Sequence, residues 1–310
     1  VEQARKWADA DVTERENWLR SGLMPLDYRP PVAADFPDLL AIVEERVKPE
    51  RMAQNDEYGR RRWWNFLRPR PELHAAIDGL PRVMACSRIA NAFAFTFMPG
   101  GIVLNEKIVV FPFAGCGPFA SIQSRIHEVW ARFFSSTLKD DLQYTPSECF
   151  ETFPFAADFE NQPGLERAGR EYYEFRAALM VRNNEGLTKT YNRFHDPGDM
   201  SADIVRLREL HDALDRAVLD AYSWTDLRPT CEFLLDYDDE ADAGDEPPPR
   251  ARQRRKPWRY RWPDDVRDEV LARLLKLNAD RAEQERRTGA AAAAAHGQPR
   301  RRSRRNTKGT

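Results

Sequence analysis

Apolar residues change their spacing along this chain, and each spacing predicts a different kind of element. From Pro118 to Ser135 they recur three, four and seven apart: Phe119, Ile122, Ile126, Val129, Trp130, Phe133. That is the stripe of one long amphipathic helix, with Gln123, Arg125, Glu128 and Arg132 expected on its solvated face. The helix is predicted to end near Ser135-Ser136. Pro146 and Pro154 keep the polar, turn-rich stretch 138–155 from resuming it. Between 82 and 113 the pattern is different. RVMACSRI, AFAFTFMP and IVLNEKIVVFPF are short β-branched or aromatic runs, parted by turns at Asn91 and Pro99-Gly100-Gly101. They predict a three-stranded antiparallel meander. The alternation in FAFTF gives it one buried face, which the long helix covers.

Helical spacing dominates elsewhere. Residues 1–29 are charged and helix-like around Trp7 and Trp18, and Tyr28–Pro31 breaks them. Asp35–Arg51 reads as a helix with Leu39, Leu40, Val43 and Val47 inward, ended by Pro49. Trp63, Trp64 and Phe66 open an apolar anchor, and a short helix from Pro71 stops at Gly79. Beyond Leu165, Tyr172, Phe175, Leu179 and Met180 make a stripe that NNEG interrupts. Ile204, Leu207, Leu210, Leu214, Val218 and Tyr222 make another, with Ser201 as N-cap. CEFLLDY is a strand or a helical turn. Pro263 starts a last helix, with Val266, Val270, Leu274 and Leu277 inward and Asp264-Asp265 at the favourable end of its dipole.

The expected fold class is therefore α+β: a small antiparallel sheet packed by a long helix, then a mainly helical C-terminal region and a disordered basic tail. The expected division is a helical linker segment 1–62, an α+β domain 63–160, a helical region 161–237, a charged flexible loop 238–257, a C-terminal helix 258–289 and the tail 290–310.

Composition sharpens this in one respect. The formal net charge of −2 hides strong local bias. Asp236–Glu246 is acidic, Arg250–Arg261 is basic, and the tail from His296 is basic with no acid, so a near-neutral sum does not argue against nucleic acid. Cys86, Cys116, Cys149 and Cys231 are too far apart for a C-x-x-C pair and read as free buried thiols. The start is charged with no apolar signal run, and no stretch reaches the ~20 apolar residues of a membrane span.

Catalytic chemistry has no visible carrier. An adenine-N6 methyltransferase needs a glycine-rich cofactor turn after a strand and an Asn/Asp-Pro-Pro-aromatic tetrapeptide to hold the flipped base. Pro30-Pro31 has the wrong neighbours, and Gly115-Cys116-Gly117 reads as the start of a helix. Asp38, Glu44 and Glu45 lack a nuclease's Glu-x-Lys strand. His127-Glu128 lacks a second histidine for zinc, so His127 is expected at the helix surface.

The string QSRIHEVWARFFSSTLKDDLQYTPSECFETFPF resembles the end of the target recognition domain of type IIG/IIL restriction–modification enzymes. In those enzymes an adenine-N6 DNA methyltransferase is fused to a DNA-reading domain. DFPDLLAIVEERVKPER and RRWWNFLRPRPELHAAIDGLPRV resemble the start of that domain. REYYEFRAALMVRNNEGLTKTYNRFHDP and RKPWRYRWPDDVRDEVLARLLKLN resemble the C-terminal part of the same proteins.

The resemblance, which runs from about Asp35 to Asn278, implies sequence-specific duplex DNA recognition without catalysis by this chain alone. It implies S-adenosylmethionine only in a catalytic domain this chain lacks, and a cytoplasmic, bacterial, nucleoid-associated location. The implied partners are duplex DNA and a separate methyltransferase subunit. Two alternatives stay open: a subunit of a split methyltransferase, and a non-functional remnant of a truncated gene. The DNA-contact candidates are Arg88, Lys107, Gln123, Lys139, Gln143, Tyr144, Lys189, Arg193, Lys256, Arg259 and Arg261. Taken singly, an Arg or Lys here is more often a solvated side chain than a DNA contact. For Lys256, Arg259 and Arg261, anchoring of the last helix by Trp258 and Tyr260 is an equal reading.

Overall fold

The computed structural model describes residues 7, 10–21, 33, 36–68, 70–138, 141–236 and 258–288. The chain divides into two units, Val1–Ala76 and Ile77–Thr310. The expected loop 238–257 and tail 290–310 lie outside the described residues, as do Lys139 and Lys256.

The first unit is helical as far as it is described: α1 (Val12–Ser21), α2 (Pro37–Arg46), α3 (Lys48–Ala53), α4 (Glu57–Arg61) and α5 (Pro71–Ile77), which reaches the boundary. The single helix expected over Asp35–Arg51 is two. Pro49 does not end a helix but sits in the first turn of α3, where its missing N–H would be unsatisfied anyway. None of the residues of α2, α3 or α5 is buried, and Leu39, expected inward, is 61% exposed. Asp56 caps α4, its carboxylate accepting from the N–H groups of Tyr58 and Gly59.

The second unit opens with β1 (Arg82–Ser87), β2 (Ile89–Ala90), β3 (Thr96–Pro99) and β4 (Ile108–Phe111). The helices α6 (Cys116–Gln123) and α7 (Arg125–Phe134) follow, then β5 (Ser136–Leu138), β6 (Asp141–Gln143) and α8 (Pro146–Cys149). Next come α9 (Pro163–Asn183), α10 (Leu187–Phe194), α11 (Ala202–Ala221), β7 (Glu232–Leu235), β8 (Trp258–Arg261) and α12 (Asp264–Thr288). Small antiparallel sheets against helices make the expected α+β class.

Three details correct the expectation. The first sheet is antiparallel but not a meander: its order is β3-β1-β4. The first strand takes the centre, with Val83, Met84, Ala85 and Cys86 all buried, as suits a strand covered on both faces. A second sheet, β2-β6-β5, appears where a polar turn-rich stretch was expected. Its three-residue strands β5 and β6 are too short to show a period.

The third correction concerns the long helix, which breaks at Ser124. The Ser124 hydroxyl accepts from the His127 N–H at 3.3 Å and donates to the Ser121 carbonyl at 2.7 Å, with extended backbone at ψ 156°. A serine that caps a new helix ends the old one. The break turns Gln123 and Arg125, both assigned to the solvated face, into the core, at 1% and 4% exposure.

The core runs through both layers. Phe93, Phe95 and Phe111 meet Phe119, Ile122, Ile126 and Trp130, and the cluster continues through Tyr172, Leu179, Leu207 and Leu214 to Val270 and Leu274. Helices α6 and α9 touch backbone to side at Gly169, where a Cβ would stand 2.1 Å from the Cys116 carbonyl oxygen. Asn184 closes α9 in the left-handed region, at φ 51°. Ser201 stands at the N-cap of α11 but makes no capping bond; its hydroxyl donates to Asp199 instead.

Candidate nucleic-acid interface

Arg88 lies at a seam. The segment that begins as β1 continues as β2, but it changes partner at this residue. Ser87 still pairs with Ile108 of β4, and the Arg88 N–H donates to the Lys107 carbonyl at 2.8 Å. One residue later Ile89 pairs with Gln143 of β6, and the Tyr144 N–H donates to the Arg88 carbonyl at 2.8 Å. Three sequence-predicted candidates, Arg88, Lys107 and Gln143, are thus brought together by main-chain bonds.

Arg88 and Lys107 are exposed and Gln143 is half-buried. Among the described residues neither cation has an ion-pair partner. Two like charges held side by side across a ladder cost stability unless an anion comes between them.

What lies beneath the seam holds it still. Tyr144, predicted as a DNA contact, is 3% exposed, and its hydroxyl hydrogen-bonds His127 Nε2 of α7 at 2.9 Å. It anchors Arg88 from below rather than facing solvent. His127 is buried as well, not at the helix surface. Burial pushes its pKa down to about 3, so the ring is neutral at physiological pH. It stands against the Phe153 ring at 4.5 Å.

Gln123, predicted as a contact, is a core staple. Its amide oxygen accepts from the Phe95 N–H at 2.9 Å and from Arg176 Nη1 at 3.2 Å. Its amide nitrogen donates to the Phe93 carbonyl at 3.0 Å. Arg176, wholly buried, also donates to the Phe95 carbonyl at 2.5 Å and to the Tyr191 hydroxyl at 2.8 Å. The irregular segment after β2 is therefore satisfied by side chains where a ladder is lacking.

Arg125 opens α7 from inside the protein. Its Nη1 donates to Asp215 at 2.5 Å and to Asp212 at 3.0 Å, and its main-chain N–H donates to Asp215 at 2.9 Å. Burial works against the guanidinium charge, but the two carboxylates outweigh it and hold the group protonated. Asp215 is the mirror case: burial raises its pKa, and Arg125 brings it below the usual carboxylate range. At the start of α6, the Cys116 and Gly117 N–H groups both donate to Glu166, at 2.7 and 2.8 Å. That positive helix end already holds a carboxylate.

The remaining candidates are elsewhere. Lys189 is exposed on α10 and pairs with Glu185 at 3.3 Å. Arg193 is committed to Glu185, Asp199 and Ser201, at 3.1, 2.7 and 3.0 Å. Arg259 and Arg261, expected on a basic surface, are only 8% and 9% exposed. Arg261 donates to the Leu235 and Trp262 carbonyls and to Asp264. Arg259 donates to Asp236 at 3.0 Å and to Asn91 at 2.5 Å. Their strand, β8, is also tied down by Tyr260 on its other face: the Tyr260 hydroxyl donates to Asp212 and its N–H to His195. Sequence reading missed Asn91 and Asp236, which carried no signal beyond a turn and an acidic run.

Residues 40–157 match the family model described as MmeI, target recognition domain. Over that segment the match bears out the resemblance read from the sequence. No curated protein matches the chain. Among solved structures the chain is similar to one described as "Structure of Type IIL restriction-modification enzyme MmeI in complex with DNA has implications for engineering of new specificities". The identity is 17% and the TM-score 0.42, over 71% of this chain and 26% of that one. The chain thus spans about a quarter of the length of that protein.

Proposed function

We propose that this chain reads the sequence of duplex DNA as the target-recognition part of a type IIL restriction–modification system. The match to a target recognition domain supports the class. The observation that carries the reading on this chain is the seam: two exposed cations, Arg88 and Lys107, without an ion-pair partner among the described residues and fixed by a main-chain bond beside Gln143. The cations bind phosphate and set register. Gln143, on the hairpin β5–β6, presents an amide, the group that pairs with adenine N6 and N7. A two-stranded ribbon of this kind is narrow enough for the major groove.

Methyl transfer to adenine N6 belongs to a separate catalytic domain or subunit with its own S-adenosylmethionine, acting in the cytoplasm. The main-chain donors at the start of α6 are taken by Glu166, a protein carboxylate. Equilibrium dialysis of the chain with S-adenosylmethionine is expected to retain none, and tight retention would overturn this part.

The test of the reading is a selection from random-sequence duplex DNA at two salt concentrations. A recovered short motif, with log K falling by about 0.9 per phosphate contact per decade of salt, is the expected result. Arg88→Ala and Lys107→Ala should each remove about one contact from that slope. Gln143→Ala should relax one position of the motif. No motif, or a motif indifferent to all three substitutions, refutes the reading.

A further inference from the structure

Arg259 was expected to touch DNA, but the structure gives it another partner. It sits in β8, paired with Leu234 across a two-stranded sheet. Its Nε donates to Asp236 at 3.0 Å, which fixes the plane of the guanidinium. Its Nη2 donates to the side-chain oxygen of Asn91 at 2.5 Å, across 168 residues of sequence. Asn91 is the residue after β2. Ala90, just before it, pairs with Leu142 of β6, and Ile89 pairs with Gln143. The sheet that supplies Arg259 is itself bound to α11 through Tyr260 and Asp212, at 3.0 Å.

The two-residue strand β2 has little to hold it. It makes two ladder pairs, and Ile89 is 41% exposed. The chain on its far side, Ala92–Phe95, is secured by Gln123 and Arg176. Asn91 lies between that secured segment and the seam.

We propose that Arg259 is a positioning residue for DNA reading. Oriented by Asp236, it grips Asn91 and so fixes β2, and with it Arg88 and Gln143, in one place. This rests on the reading that the seam meets DNA. A charge-assisted bond to a fixed fork is strong enough to make the difference, and a reading side chain set loose by about 1 Å loses most of its discrimination.

The experiment measures affinity for the selected motif and for a scrambled duplex, each over a range of salt. Wild type comes first. If it selects no motif, the seam reading fails, and the positioning role falls with it. If it selects one, Asn91→Ala and Arg259→Ala should each lower the ratio of specific to scrambled affinity by about tenfold or more. The salt slope and the affinity for scrambled DNA should stay unchanged. The double variant should be no worse than either single one. Asn91→Asp should keep the wild-type ratio, because a carboxylate at 91 still pairs with Arg259, whereas a direct amide contact to a base would be lost.

Asn91 is exposed, so its substitutions keep the test intact if Arg259→Ala does not fold. A slope made shallower by about one contact in Arg259→Ala, with Asn91→Ala silent, would mean a phosphate contact and would falsify the positioning role. So would loss of the ratio in Asn91→Asp, or no effect in any variant.

Discussion

Gln123→Leu separates a role in the fold from a role in DNA contact more sharply than any other single change. Leucine is close to glutamine in volume, so little cavity is made. What is lost is the pairing of three buried groups: the Phe95 N–H, the Phe93 carbonyl and one nitrogen of Arg176. Arg176 keeps the Phe95 carbonyl and the Tyr191 hydroxyl, so its loss is partial. The two main-chain groups are left without a partner, at about 1–3 kcal/mol each. Burial of leucine offsets about 1–2 kcal/mol of this. The expected net destabilisation is about 3 kcal/mol.

Urea titration followed by near-ultraviolet circular dichroism should show a lower midpoint with an unchanged slope. Under conditions where the variant remains folded, its salt slope on DNA should equal that of wild type. An unchanged midpoint combined with lost DNA specificity would refute the assignment of Gln123 to the core and restore it as a contact.

Three further changes have outcomes that follow from the same geometry. Asp215→Ala strands the Arg125 guanidinium, 4% exposed, with only Asp212 and His211 nearby, and should cost about 3 kcal/mol in urea unfolding. The pH sign follows from the lowered folded-state pKa of Asp215: its contribution is present above about pH 4 and is lost as acid protonates it. Wild type should therefore lose stability on acidification below pH 4 more steeply than the variant; equal slopes would contradict the pairing. Gly169→Ala should destabilise by about 2 kcal/mol, because its Cβ meets the Cys116 carbonyl oxygen; an ordinary helical glycine would instead gain about 1 kcal/mol, so a raised melting temperature would refute the close approach. Burial lifts the thiol pKa values of Cys86, Cys116, Cys149 and Cys231, so an aromatic disulfide reagent at pH 8 should modify none of the four in the native protein within minutes and all four in denaturant. Rapid native modification of any would contradict its buried place.

The fold was legible wherever one face of an element repeats. Ile204 to Val218 in α11 and Val270 and Leu274 in α12 are buried as their spacing predicts. It was illegible where a single polar group overrode the period. Ser124 stands inside a good helical stripe, and the period gives no sign that its hydroxyl caps a second helix. Strand order was hidden for another reason. Spacing gives the runs that form strands but not their order: Val83–Cys86 and Ile108–Phe111 are both strictly apolar, yet only the first is buried along its whole length, with a neighbour strand on each edge. The hairpin β5–β6 had no period to find, because three residues per strand are too few.

For the candidate surface, residue type identified charges and amides, and burial then sorted them. Arg88, Lys107 and Gln143 are at one seam, while Gln123, Tyr144, Arg259 and Arg261 are inside. The difference is not visible locally. Gln143 and Tyr144 are adjacent, and the alternation of a strand sends one outward and the other toward His127. Arg259 and Arg261 alternate with aromatic residues, which suggested a stacking basic surface. Yet the residues that satisfy them, Asn91, Asp236, Asp264 and the Leu235 carbonyl, include one that is 168 positions distant. A buried cation is legible only with its partners, and partners so far apart in sequence are joined only once the chain has folded. The recognition surface and its supports therefore draw on the same residue types. What separates them is whether a protein group, or none, already answers the charge. By that measure Arg88 and Lys107, with no ion-pair partner among the described residues, differ from Arg259 and Arg261.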